Sequence, residues 1–216
     1  MATRLFSDLV NRVAPSVPGC PQPVILTYIR NAAIDVCERT NAWRYKHAAV
    51  TMTAGTYEYA FVPESNAEVY SVLTANINGN ELTPITLEAL HQLYPKYPSA
   101  VTTERATPQY FFQVSPITFH VALVPVNSTD KINMFVAQRP SRASTGMNEA
   151  VMDDVEDAIM HGALQQLLTL PERTWSDTEL AAYHAKQFVF KVTERRARVN
   201  IGVGRAAPTV RQSAWA

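Results

Sequence analysis

The sequence is poor in the features that announce most chemistries. Its 216 residues hold two cysteines, Cys20 and Cys37, too few for a disulfide framework and not spaced as Cys-x-x-Cys. Lys+Arg and Asp+Glu stand at 19 each, a formal net charge of zero. A chain built to grip nucleic acid shows a basic excess, because phosphate neutralisation drives that binding. No apolar run approaches the roughly 18 residues of a membrane helix. No charged-then-apolar leader stands at Met1, so neither secretion nor a membrane span is expected. A Gly-x-Ser-x-Gly elbow and a P-loop are both missing, as are internal repeats and low-complexity runs. What is present is a 47% hydrophobic content, enough to pack a core in one large domain or two small ones.

The chain is organised around a helical hairpin from about Asn148 to Asn200. In its first arm Val151, Val155, Ala158, Ile159, Gly162, Ala163, Gln166, Leu167 and Leu170 recur at three- and four-residue steps, which places them on one helix face. Gly162 costs roughly 1 kcal/mol against Ala in a helix interior and is tolerable where another helix packs close. Pro171 ends this arm. In the second arm Ser176 reads as the N-cap, with Glu179 completing a capping box and Trp175 with Leu180 as the hydrophobic staple. The helix runs to about Val199, and Arg195, Arg196 and Arg198 suit its negative end. A short link with a proline makes the two arms antiparallel neighbours.

Ahead of the hairpin, Thr3 reads as the cap of a short helix carrying Leu5, Phe6, Leu9, Val10 and Val13, ending before Pro15. After the stiff stretch Pro15–Pro23, a second helix carries the stripe Ile25, Tyr28, Ile29, Ala32, Ala33, Val36 and Cys37. From His47 the pattern becomes β-rich. Residues 47–52 and 56–61 read as a hairpin about Gly55, and Asn78-Gly79 is a strong two-residue hairpin turn. A short helix over 87–93 and strands over 109–114, 117–123 and 132–138 follow. The expected fold class is α+β: an antiparallel helical bundle (1–46 and 141–200), an inserted antiparallel β-rich, sandwich-like domain (47–140), and an extended tail (201–216).

Charge is unevenly placed. Glu149, Asp153, Asp154, Glu156 and Asp157 crowd the start of the hairpin, while Arg195, Arg196, Arg198, Arg205 and Arg211 follow Glu194 with no acid after it. One reading is dipole complementation on a solvated face. The other is an assembly surface for a neighbouring subunit or partner, using Asp153, Asp154, Asp157, Arg195, Arg196 and Arg198. Asp157, His161 and His184 are the residues a metal-binding helical-bundle enzyme would use, but the Glu-x-x-His pattern of di-metal bundles fails on both arms. The aromatics Tyr110, Phe111, Phe112 and Phe119 lack interleaved Lys or Arg, so core packing is favoured over base stacking. Gly202-x-Gly204-x-x-Ala207 follows a helix rather than a strand, which is the wrong context for a dinucleotide site. Trp215, on a tail with two glycines and Pro208, has no core to join and suits an anchor in a partner.

The segments VPGCPQP, IRNAAIDVCERTNAWRY, TAGTYEYAF, TPQYFFQ, AQRPS, HGALQQLL, LPERTWSDTELAAYHAKQF and GVGRAAP occur in an order that resembles phage head-to-tail adaptor proteins, and the resemblance covers most of the chain. It implies a non-enzymatic connector, without cofactor or metal, that assembles in the host cytoplasm and ends in the virion neck. It implies a homo-oligomeric ring, usually twelvefold, between the portal protein and the tail or nozzle proteins, with tail fibres as further neighbours. Double-stranded DNA would pass through the centre without sequence-specific binding. The C-terminus would reach the portal, with Ile201, Arg205, Arg211 and Trp215 as the docking residues suggested by tail position and charge.

Overall fold

In the computed structural model, which describes residues 2–95, 97 and 106–201, the chain opens with a strand, β1 (Thr3–Leu5). Thr3 therefore does not cap a helix. Its backbone is held extended by pairing with Asn148, and α1 (Ser7–Val13) begins four residues later, with no side-chain cap at Phe6. Pro15 is absorbed into a 3-10 turn, Ala14–Ser16. Then comes α2 (Gln22–Thr40), with Pro23 in the first turn, where its missing N–H costs nothing. It ends at Asn41, whose left-handed φ of 50° closes the helix. Ile25, Ile29, Ala32, Ala33, Val36 and Cys37 are all buried, as the stripe predicts, while Tyr28 is only half-buried. Burial pushes the Cys37 thiol up to about 12, so it is inert and packs as a small apolar group.

The middle of the chain is β-rich. Its elements are β2 (Trp43–Lys46), β3 (Val50–Thr51), β4 (Glu58–Ala60), β5 (Ala67–Ile77), β6 (Asn80–Glu81), β7 (Thr83–Pro84), α3 (Leu87–Leu93), β8 (Tyr110–Gln113), β9 (Thr118–Ala122) and β10 (Lys131–Pro140). One sheet has the order β2-β10-β5-β6 with β3 also on β10, and another the order β4-β9-β8-β7. Every pairing in them is antiparallel except β7 with β8. Asn78 and Gly79, at φ of 51° and 88°, make the expected two-residue turn between β5 and β6. The hairpin expected about Gly55 does not form. Gly55 turns the chain with a φ of 80°, but β3 pairs with β10 and β4 with β9, so the two arms enter different sheets. Met52, Tyr59, Phe61, Val69, Phe111, Phe119, Ile132, Met134 and Val136 share one core. Tyr110 and Phe112 pack against a second cluster of Leu90, Tyr97 and Ala122. Tyr110, Phe111, Phe112 and Phe119 are thus packing residues.

His47 is buried yet satisfied. Its Nδ1 lies 2.6 Å from the Ala48 carbonyl and its Nε2 accepts from the Val62 N–H at 2.7 Å. The first nitrogen must therefore carry the proton.

The last elements are β11 (Gly146–Asn148), α4 (Glu149–Leu168) and α5 (Thr178–Ile201). The chain divides into two compact units. One is built from the residues up to Ala42 and from Thr145 onward, the other from Trp43–Ser144. The fold is mixed α+β, with five α-helices among the described residues and largely antiparallel sheets. In the first unit β1 pairs antiparallel with β11, and α4 packs against α1, α2 and α5.

Asn148 caps α4, its side chain accepting from the Val151 N–H at 3.4 Å. The face α4 buries is Met152, Val155, Ala158, Ile159, Gly162, Ala163, Leu164, Leu167 and Leu168. Val151, Gln166 and Leu170 are only half-buried. The buried face is set by three neighbouring helices rather than one, so it is broader than a single stripe.

Ser176 is not the cap of α5. Asp177 is, accepting from the Leu180 N–H at 2.9 Å while its carbonyl takes the Ala181 N–H. Ser176 instead binds the interhelix turn, its hydroxyl donating to the Leu170 carbonyl and accepting from the Arg173 N–H. With the cap one residue later, the third helical position is Leu180, so there is neither a capping box nor the Trp175–Leu180 staple. Asp177→Ala is accordingly expected to cost about 1 kcal/mol, seen as a lower midpoint of the helical signal in a urea titration. Asp177→Asn, which keeps the acceptor, should recover most of it.

Candidate functional site: the charged end of the helical hairpin

The antiparallel hairpin brings the acidic start of α4 to the basic end of α5. Asp157 meets Lys191 at 3.3 Å and Asp154 meets Arg195 at 2.6 Å. Two further arginines arrive from the start of the chain. Arg4, on β1, reaches Asp153 at 2.6 Å and Glu156 at 3.0 Å. Arg12, on α1, closes on Glu156 and lies 3.9 Å from Asp157. Exposed pairs of this kind contribute about 0–1 kcal/mol each. Here, however, Glu156 is held by two guanidiniums at once and is itself partly buried. The hydrogen bond from Arg4 pulls its carboxyl below the usual range, burial opposes that, and Arg12 adds to the lowering.

The structure thus unites most of the charged residues singled out in the sequence, and it pairs them with one another. Asp153, Asp154 and Asp157 each have a cationic partner. Arg195 serves Asp154, and Arg198 turns back to Glu194 in its own helix. Arg196 differs, being exposed with no ion pair among the described residues. Arg4, Arg12 and Lys191 were not foreseen as members of this cluster. The only hint was five acids with no local base, which calls for cations from elsewhere in the chain.

About one turn beyond Asp157 on α4, His161 meets His184 of α5, Nδ1 to Nδ1 at 2.8 Å. One ring must present its N–H and the other its bare nitrogen, so the contact tolerates one shared proton but not a proton on both. His184 is 8% exposed, and Tyr183 meets its ring edge-on. Burial lowers the affinity of both rings for a proton. For His161 the Asp157 charge opposes this and Lys191 reinforces it, and for His184 the neighbouring His161 reinforces it.

The metal reading of Asp157, His161 and His184 finds little support in this geometry. The imidazoles bond each other, Asp157 is engaged by Lys191, and no three His, Cys, Asp or Glu side chains among the described residues converge as ligands. A zinc site needs at least three protein ligands.

A pH dependence follows. Depressed histidines favour the fold while both rings are neutral. That contribution is complete above their unfolded value, roughly 6.5, and is lost as pH falls through the lower folded values. Glu156 acts in the same direction at lower pH, stabilising above about 4.3 and losing its effect as pH falls through its depressed value. Thermal melts of the full chain between pH 8 and pH 5 should show the midpoint falling first through the histidine window. In His184→Gln that first fall should shrink, the remainder belonging to His161 and His120, which burial also holds low.

Of the docking residues expected near the C-terminus, Ile201 ends α5, which continues two residues beyond the expected Val199. Arg205, Arg211 and Trp215 lie outside the described residues. No helix among the described residues is long and apolar enough to cross a membrane.

A helical unit braced by ion pairs thus carries a β-rich unit inserted in its sequence. The chain belongs to the SU10 adaptor protein family, whose model matches residues 4–212 and so spans both units. That places it with the phage head-to-tail adaptors and indicates a structural adaptor role in the virion neck. No curated protein matches the chain.

Proposed function

We propose that this protein is the structural connector between portal and tail, forming a ring, of twelve copies by family likeness, that continues the DNA channel. The observation that carries the proposal is the family match over residues 4–212, which leaves neither unit outside the adaptor pattern. In this reading the helical unit is the bundle of the adaptor and the β-rich unit its sandwich-like insertion. The sequence from Ile201 to Ala216 docks on the portal, with Trp215 as apolar anchor and Arg205 and Arg211 as electrostatic guides.

The ion pairs of Asp153, Asp154, Asp157 and Arg195 support a further division of labour. They hold the hairpin as a rigid strut, while exposed Arg196 and Arg198 are presented to partners. A zero net charge fits a conduit, because a strongly basic bore would retain DNA through phosphate contacts. The test is electron microscopy of the purified chain mixed with purified portal. A ring of added density on one face of the portal is expected, and bare portals at saturating chain would overturn the proposal.

A further inference from the structure

The long strand β10 alternates strictly over its first half. Ile132, Met134 and Val136 belong to the core of the β-rich unit, so Lys131, Asn133 and Phe135 fall on the opposite face of the strand. All three are exposed. On one side β2 sets Lys46 opposite Phe135 and Arg44 opposite Ala137, and both cations are exposed. The His47 N–H bonds the Met134 carbonyl, which makes Lys46 and Phe135 the closer, non-hydrogen-bonded kind of cross-strand pair. On the other side β5 sets Thr74 opposite Phe135.

Phe135 is therefore a large ring, 49% exposed, in the middle of a polar sheet face. Core packing does not explain it, because its side of the strand is not the core side. Tyr70 on β5 is also exposed, but the Arg139 guanidinium lies over its ring at 5.7 Å. No ring or cation stacks on Phe135 among the described residues. Arg44, Lys46 and Lys131 likewise have no ion pair among the described residues. The acids of the same sheet are engaged or distant. Glu68 is held by Arg139 at 2.7 Å, and Asp130 accepts from the Asn78 side chain at 2.9 Å. Glu81 stands opposite Asn76 on β6, on the far side of β5 from β10 and β2.

We propose that this face binds single-stranded nucleic acid. An extended strand would run along β10, with one base stacked on Phe135 and its phosphates met by Arg44, Lys46 and Lys131. Stacking on an exposed ring beside phosphate-binding cations is how sheet surfaces hold unpaired strands. Phe135 has the neighbouring cations that Tyr110 and Phe112 lack. A duplex does not fit, because its bases are already stacked on one another and a flat face enters neither groove. An acidic protein segment would satisfy the cations and leave the ring bare. From Lys131 to Ala137 the strand rises about 20 Å, which is a footprint of about four nucleotides, the small end for one sheet fold. The inference goes beyond the adaptor reading, since it needs neither portal nor ring.

The test is fluorescence anisotropy of a labelled oligothymidylate of about twelve nucleotides, titrated with the full chain at low salt. Saturable binding is expected. Three phosphate contacts give a log–log salt slope of about −2, roughly a twentyfold loss of affinity between about 50 and about 200 mM salt. Phe135→Thr, which keeps strand propensity, should weaken binding roughly tenfold. Phe135→Leu should weaken it as much, because it keeps apolar bulk without a π-face, and Phe135→Tyr should bind like the parent. Lys46→Glu with Lys131→Glu should abolish binding. These side chains are exposed, so all the variants should melt like the parent, and Lys186→Glu on the helical unit should change nothing. Absence of saturable binding, equal binding of a duplex or a polyglutamate peptide of the same length, or parental binding by Phe135→Leu would overturn the inference.

Discussion

A chain ending at Ile201 is expected to fold and melt as the full chain does and to lose its binding to the portal. Among the described residues α5 runs to Ile201, so removing residues 202–216 takes away no described element. What it removes is Gly202, Gly204, Pro208, Arg205, Arg211 and Trp215. The glycines and the proline make a helix costly there, and the proposed docking orders this sequence against the portal. Ordering a backbone costs roughly 1–2 kcal/mol per residue, and burial of an aromatic anchor can supply about 2–4 kcal/mol per subunit toward it, repeated around a ring. Trp215→Ala should therefore weaken docking severely at unchanged thermal midpoint. Arg205→Glu with Arg211→Glu should chiefly slow association. In a phage, the truncated chain should give filled heads without tails. The direct measurement is a pull-down on purified portal, in which retention of the truncated chain at parental strength would move the interface to the body.

The second large effect is expected at Gly162. A Cβ there would lie 2.9 Å from Cε2 of Phe188 on α5 and 3.1 Å from the Ala32 Cβ on α2. The glycine is thus clasped from two sides, and α4 cannot retreat from one neighbour without closing on the other. Gly162→Leu should cost about 3 kcal/mol, the upper part of the usual range for overpacking. That corresponds to roughly 6–12 °C in the melting of the helical unit. Gly162→Ala should cost less, because Ala recovers roughly 1 kcal/mol of helix propensity and the Phe188 ring can shift by tenths of an ångström. Circular dichroism melts at 222 nm distinguish the two. A Leu variant that melts like the parent would show the three-helix crossing to be looser than 3 Å implies.

Gly162 also marks what could be read in advance. A mid-helix glycine on an apolar stripe signals a close approach, and that signal is local. The same holds for the α2 stripe and for the Asn78-Gly79 turn, each resting on neighbours within a few residues. Where two local solutions were equally good, the sequence could not choose. Ser176 and Asp177 are both good caps, and the choice fell to Asp177 because the turn from Leu170 to Arg173 engages the serine hydroxyl. Residues 47–61 carry hairpin grammar about Gly55, yet β3 joins a strand some eighty residues away, on β10. Three residues of β1 take their strand pairing from β11, more than 140 residues away.

By itself, then, the sequence determined the helices, their stripes, the tight turns and the unequal placement of charge, because helix period, caps and φ preferences act over a few residues. The tertiary structure alone decided which strands share a sheet, and that Arg4 and Arg12 complete the acid cluster of α4. It also decided that His161 bonds His184 and that one face of α5 stays bare while the other is buried. Those outcomes depend on which apolar faces find each other across the chain. A pairing across more than a hundred residues leaves no mark in the local pattern of either partner.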